Sequence, residues 1–105
     1  MGPEVFYLDR DNTIDLLLTA DGDPVDLSPV SDVILEIDET TIDSDTYPNV
    51  FTWTGLGVTG KLVIDLNEAE SASLSAGTYQ SRLIIVDPSN SDGIVWGEFT
   101  LIIKP

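Results

Sequence analysis

Apolar residues recur at every second position along most of this chain, and turn-forming residues interrupt them at short intervals. A strand turns successive side chains to opposite faces, so period two means strands with one buried face, and frequent turns mean that they are short. Val5-Phe6-Tyr7-Leu8 reads as a first strand, stopped by Asp9-Arg10-Asp11-Asn12. Thr13 to Ala20 follows with Ile14, Leu16 and Leu18 on one face, and Asp21-Gly22-Asp23-Pro24 then supplies a turn in which Gly accepts positive φ. Val25 to Ser31 is a connection over the sandwich edge. Asp32 to Asp38 is a strand with Val33, Leu35 and Ile37 facing one way, and Thr40 to Pro48 is an acidic loop or a short edge strand. Val50 to Thr54 is strand-like, as is Lys61 to Leu66 with Leu62, Ile64 and Leu66 inward. Gly77 to Val86 and Gly93 to Lys104 are the longest strands, joined by Asp87-Pro88-Ser89-Asn90-Ser91-Asp92. The rhythm breaks at Asn67 to Leu74, where Asn67 as N-cap and Glu70 form a capping-box pattern that predicts a short helical turn near 67–74. The expectation is an all-β antiparallel sandwich of about seven or eight strands, in one domain spanning residues 1–105.

A chain of 105 residues buries enough apolar surface for a core without metal or disulfide staples, and it has no cysteine to make one. Its charge is the unusual quantity: 19 acidic residues against four basic ones, Arg10, Lys61, Arg82 and Lys104, for a formal net of −15. Nucleic-acid binding needs clustered cations to displace counterions from phosphates, and an anionic membrane repels a chain of this sign. Neither is expected as a partner. The first reading of the charge is solubility; the functional alternative is a basic partner surface, or cations such as Ca²⁺ held between subunits. No apolar run approaches the length of a membrane span, and the chain as given is expected to be soluble.

The chain has neither His nor Cys, which removes Ser-His-Asp and Cys-His catalysis and the usual ligand sets for Zn, Cu and Fe. Carboxylates are abundant, but a glycosidase needs two across a sugar-sized cleft, and most of these Asp residues sit in turns. Gly55-Leu56-Gly57-Val58-Thr59-Gly60 matches the dinucleotide-binding fingerprint by letter. That motif works only where it opens a helix, and here it leads into Lys61-Leu62-Val63-Ile64-Asp65-Leu66, which alternates as a strand. Calcium is the most plausible metal chemically. Asp21, Asp23 and Asp26 are close in sequence, as are Asp9, Asp11 and Asn12, and Asp87, Ser89 and Ser91 alternate ahead of Glu98. The EF-hand order fails because its sixth position is Asp92 rather than Gly, so these read as solvated turns. No catalytic residue, metal ligand, cofactor or small-molecule substrate is assigned; the expectation is a protein that is not an enzyme.

The apolar residues on the other face carry more information. If Val33, Leu35, Leu62, Ile64, Leu83, Ile85, Phe99, Leu101 and Ile103 fill the sandwich, alternation sends Ile34, Val63, Ile84, Val86, Trp96 and Ile102 outward. An antiparallel sheet facing water is mostly polar on that side. Either this face binds a partner, or loops, the first strand or a one-residue register slip account for it. The expected contact residues are Ile34, Ile84, Val86, Trp96 and Ile102, with Phe6 and Tyr7 of the first strand as a second contact. Trp96→Asp is expected to abolish assembly while leaving the chain folded.

Two stretches carry a family resemblance. The first is Asn12 to Asp38, running through Asp21-Gly22-Asp23-Pro24-Val25-Asp26-Leu27 to the alternating Val33-Ile34-Leu35-Glu36-Ile37. The second runs from Leu74 through Ala76-Gly77-Thr78-Tyr79 to Leu83-Ile84-Ile85, and closes with Asp92-Gly93-Ile94-Val95-Trp96-Gly97-Glu98-Phe99-Thr100-Leu101-Ile102-Ile103. Together they resemble the Ig-like domains of tailed-phage structural proteins, such as the N-terminal domain of baseplate upper proteins. The resemblance rests on turns and hydrophobic spacing, with no invariant chemical group. It implies an Ig-like β-sandwich in the virion, made in the bacterial host cytoplasm, in a tail, a baseplate or a capsid decoration. Its partners would be other virion proteins or further copies of itself as a homo-oligomer. The Leu74 to Tyr79 step also resembles the tyrosine corner of immunoglobulin folds, with Ser81 where antibody domains carry Cys. The alternative is an Ig-like module of a bacterial surface or secreted protein, Ca²⁺-stabilised or carbohydrate-binding.

Overall fold

In the computed structural model, which describes residues 3–53, 59–67 and 74–105, the alternating segments form ten strands. They are β1 (Glu4–Tyr7), β2 (Asn12–Leu17), β3 (Thr19–Ala20), β4 (Asp23–Pro24), β5 (Asp32–Ile37), β6 (Thr40–Asp43), β7 (Phe51–Thr52), β8 (Lys61–Leu66), β9 (Gly77–Asp87) and β10 (Asn90–Lys104). One sheet has the order β1-β10-β9-β5-β6 and the other β2-β8-β7, while β3 and β4 pair as a separate hairpin. Every pairing is antiparallel except that of β1, which lies parallel to the last four residues of β10, Leu101 to Lys104. The order β2-β8-β7 against β10-β9-β5-β6 is that of the B-E-D and G-F-C-C′ sheets of an Ig-like sandwich.

The inward residues follow the alternation. Val33, Leu35, Ile37, Leu83, Ile85, Phe99, Leu101 and Ile103 of the larger sheet meet Ile14, Leu16, Phe51, Leu62, Ile64 and Leu66 of the smaller in one buried cluster. Burying one such Leu or Ile side chain stabilises the fold by about 2 kcal/mol before entropy is counted. Leu27 and Val30, from the connection between β4 and β5, seal one border of this cluster.

Local chemistry fixes the turns. Asp21 and Gly22 both take positive φ, 53° and 85°, as a two-residue type I′ hairpin between β3 and β4 requires. Asp38 (φ 54°) opens the equally short Asp38-Glu39 turn between β5 and β6, which pairs Ile37 with Thr40. The chain switches sheets between β1 and β2, where Asn12 is buried. Its side-chain oxygen accepts from the Tyr7 amide at 2.8 Å, and its Nδ2 donates to the carbonyls of Tyr7, Arg10 and Leu66. The Tyr79 hydroxyl donates to the Ser75 carbonyl at 2.9 Å, four residues upstream, so the tyrosine-corner bond is made.

Residues 68–73, most of the expected helical turn near 67–74, lie outside the described residues, as do Gly55 and Gly57 of the fingerprint-like loop. The third glycine of that loop, Gly60, is described and buried. It holds φ at +67°, and a Cβ there would stand 2.2 Å from the Leu18 carbonyl oxygen. Its own carbonyl accepts from the Leu18 amide at 2.7 Å. Glycine at position 60 therefore serves a close backbone approach, and β8, a strand, follows it directly.

Candidate functional site

The outer face of the five-stranded sheet is built from residues that alternate with the core. Cross-strand register places Ile34 of β5 opposite Ile84 of β9, and Ile84 opposite Val95 of β10. Val86 follows Ile84 on the same face, opposite Asp32. Gly93 (φ +87°) completes the patch, since a Cβ there would stand 2.7 Å from the Ile84 Cγ2 and 3.4 Å from that of Val86. Val95 is 45% exposed, while Ile34, Ile84 and Val86 are half-buried by their neighbours. The result is an apolar stripe running across three strands.

Polar rows border it. On one side Glu36, Arg82 and Glu98 stand in register across β5, β9 and β10. The Arg82 guanidinium donates to one Glu36 carboxylate oxygen from Nε at 2.9 Å and from Nη2 at 2.6 Å. At this degree of exposure such a pair is worth under about 1 kcal/mol. Beyond that row lies a second, smaller apolar group, where Val5 of β1 pairs with Ile102 of β10 and Tyr7 stands 46% exposed on the edge strand.

Two residues expected on this surface are not there. Phe6 is 1% exposed and belongs to the core, because β1 alternates like the other strands and Phe6 is the member of its pair that points inward. Trp96 is half-buried and packs against the core. Val95 pairs with Ile84 and Gly97 with Leu83, so Trp96 is the extra residue of a β-bulge. The bulge shifts the alternation by one, which puts Val95 on the outer face in place of Trp96. Trp96→Asp would therefore strike core packing and cannot separate assembly from folding. Trp53 is likewise half-buried against the core, with its Nε1 donating to the Val30 carbonyl at 3.3 Å.

At the far end of the stripe Asp32, Asp43 and Asp45 converge, each offering a carboxylate oxygen within 4.8 Å of the others. Their convergence follows from the Asp38-Glu39 turn: once Ile37 faces Thr40, Ile34 faces Asp43 and Asp32 comes level with the segment after β6. Desolvation by burial, the neighbouring Asp43 and the Asp45 charge push the Asp32 carboxyl above the usual range, against a lowering by the Ser44 hydroxyl. Ser44 Oγ donates to Asp32 and accepts from the Val33 amide at 3.0 Å. Three oxygens this close suit a hard cation such as Ca²⁺, which takes carboxylate oxygens at about 2.3–2.6 Å. Alternation along β5 and β6 carries the signal for this cluster, but only the turn length sets the register that brings the three together.

The Asp residues singled out in the sequence behave as turn residues. The Asp26 carboxylate accepts from the Ser28 hydroxyl and, at 2.9 Å, from the Ser28 amide, which hold its pKa below the usual value. Asp87 accepts from the Ser89 amide at 2.9 Å and from the Asn90 side chain at 3.0 Å. Asn12 is spent on the β1–β2 crossing. Among the described residues, Asp21 and Asp23 join no cluster of three acids.

The outer face of the smaller sheet is of another kind. Thr13 Oγ1 donates to Asp65 at 2.7 Å, Asp15 faces Val63, and Leu17, 66% exposed, faces Lys61. It is a mixed, mainly polar surface of the sort that faces water. A cavity of about 200 Å³ lies between the Asp38-Glu39 turn and Leu74, Ser75 and Tyr79. It is smaller than most ligand pockets. No protein-family model matches the chain, and no curated protein matches it.

Proposed function

We propose that this chain is a non-enzymatic Ig-like docking module, a structural component of a phage virion that works through protein–protein contacts. The observation that carries the docking role is the Ile34–Ile84–Val95 stripe with Val86, an apolar patch on the outer face of a sheet whose counterpart across the sandwich is mainly polar. Buried apolar side chains at the centre of a contact, ringed by polar ones, are what stable interfaces use. The virion setting rests on the resemblance of residues 12–38 and 74–103 to tailed-phage Ig-like domains. Quantitative mass spectrometry of gradient-purified particles from the source culture tests it. The expected result is the chain in a fixed ratio to the major structural proteins across preparations; its absence from the particles would reject the virion setting.

One observation favours a second reading, an Ig-like module of a bacterial surface or secreted protein stiffened by Ca²⁺: the convergence of Asp32, Asp43 and Asp45. A ligand bound only by the folded state raises the melting temperature with its concentration. A large rise in millimolar Ca²⁺, lost in Asp43→Asn, would move the assignment there.

A further inference from the structure

The partner of the outer face has a chemistry that the face itself specifies. Among the described residues five carboxylates border the stripe on two sides: Asp32 opposite Val86, Asp43 opposite Ile34 and Asp45 beside them at one end, and Glu36 and Glu98 in the adjoining row. The single guanidinium on this ground, Arg82, is already held by Glu36. We propose that this face docks a cationic, amphipathic protein segment, one that lays apolar side chains on Ile34, Ile84, Val86 and Val95 and sets Lys or Arg over the acidic rim. This rests on the docking role proposed above and names the partner for it.

Three arguments support this occupant. The apolar centre and charged border demand a partner with the same layout and opposite sign, because like charges opposed across an interface cost several kcal/mol. A second copy fits poorly: a two-fold interface brings the same patch to both sides, so the acidic rim would meet itself on a chain of net charge −15. A field of this sign also raises the rate at which a basic partner arrives, and that rate falls with salt.

The test titrates a synthetic amphipathic peptide of Leu and Lys into ¹⁵N-labelled protein and follows amide shifts by NMR. All-Lys and Leu–Glu peptides of equal length serve as comparisons. Saturable shifts are expected along β5, β9 and the first half of β10, with binding roughly tenfold weaker for the all-Lys peptide and absent for the Leu–Glu one. Val95→Lys, at a 45% exposed position and confirmed folded by its melting curve, is expected to weaken binding by roughly tenfold or more. Leu17→Lys on the opposite sheet leaves it unchanged. Shifts spread over both sheet faces, equal binding of the Leu–Glu peptide, or an unaffected Val95→Lys variant would each overturn the proposal. A chain present in particles that ignores the Leu–Lys peptide keeps the virion reading and rejects the basic partner. A chain that binds the peptide at this face but is absent from particles does the reverse.

Discussion

Replacing Gly60 by Ala should cost far more stability than the same change at Gly22, although both glycines hold positive φ. At Gly22 an added Cβ meets nothing within 4 Å, so only the backbone cost of a left-handed Ala applies, about 1 kcal/mol. At Gly60 the Cβ would lie 2.2 Å from the Leu18 carbonyl oxygen and 3.0 Å from the Val25 amide nitrogen. Both neighbours are backbone, which cannot swing aside as a side chain can. They are also joined, since Leu18 donates to the Gly60 carbonyl at 2.7 Å and accepts from Val25 at 3.0 Å. Moving them apart weakens two backbone hydrogen bonds at about 1 kcal/mol each, on top of the same left-handed cost. The total for Gly60→Ala is about 3 kcal/mol, against about 1 for Gly22→Ala. For a domain of this size each kcal/mol moves the melting temperature by roughly 4–8 °C, so the two variants should differ by roughly 8–16 °C. Circular dichroism melts at matched concentration read this directly, and urea midpoints check it. Near-equal melting of the two variants would refute the close approach of Leu18 to residue 60, and with it the packing at that end of β2 and β8.

Tyr79→Phe deletes the hydroxyl bonded to Ser75 and nothing else, so a loss of about 1 kcal/mol in urea unfolding is expected; no loss would mean that the corner bond is not made in solution. Ser81 is fully buried, and among the described residues its hydroxyl has no hydrogen-bond partner, so Ser81→Ala should be neutral or stabilise by up to about 1 kcal/mol; a clear loss of stability would show a hidden partner. Asp32 has its carboxyl raised above 3.8 in the folded state, so its stabilising contribution is full below that value and is lost as pH rises through the folded pKa. Asp32→Asn, which keeps an acceptor for Ser44, should therefore melt higher than the parent near neutral pH and show a smaller gain on mild acidification; an unchanged pH profile would contradict this.

Much of this architecture is legible in the residues. Alternation assigns Leu62, Ile64, Leu83, Ile85, Leu101 and their like to the core, because a strand with one wet face has no other way to dispose of them. The turn residues at Asp21-Gly22 and the Tyr79 corner are equally readable, since each has a local cause. What alternation cannot show is a change in its own phase. The bulge at Trp96 exchanges Val95 for Trp96 on the outer face, and its one local mark in Val95-Trp96-Gly97 is a glycine inside a strand. Phe6 was open to misassignment for a related reason, because a four-residue strand offers two phases and only its packing partner selects one. The Asp32, Asp43 and Asp45 cluster depends on register between strands, which a count from the Asp38-Glu39 turn supplies only once that turn is known to be two residues long.

Docking through the five-stranded sheet requires its outer face to act and that of the smaller sheet not to. The most direct test compares the copy number of the chain in purified particles for the parent, Val95→Lys and Leu17→Lys, each confirmed folded by its melting curve. Full incorporation of the parent and of Leu17→Lys is expected, with loss of Val95→Lys. Equal incorporation of all three, or loss of Leu17→Lys with Val95→Lys retained, would contradict it.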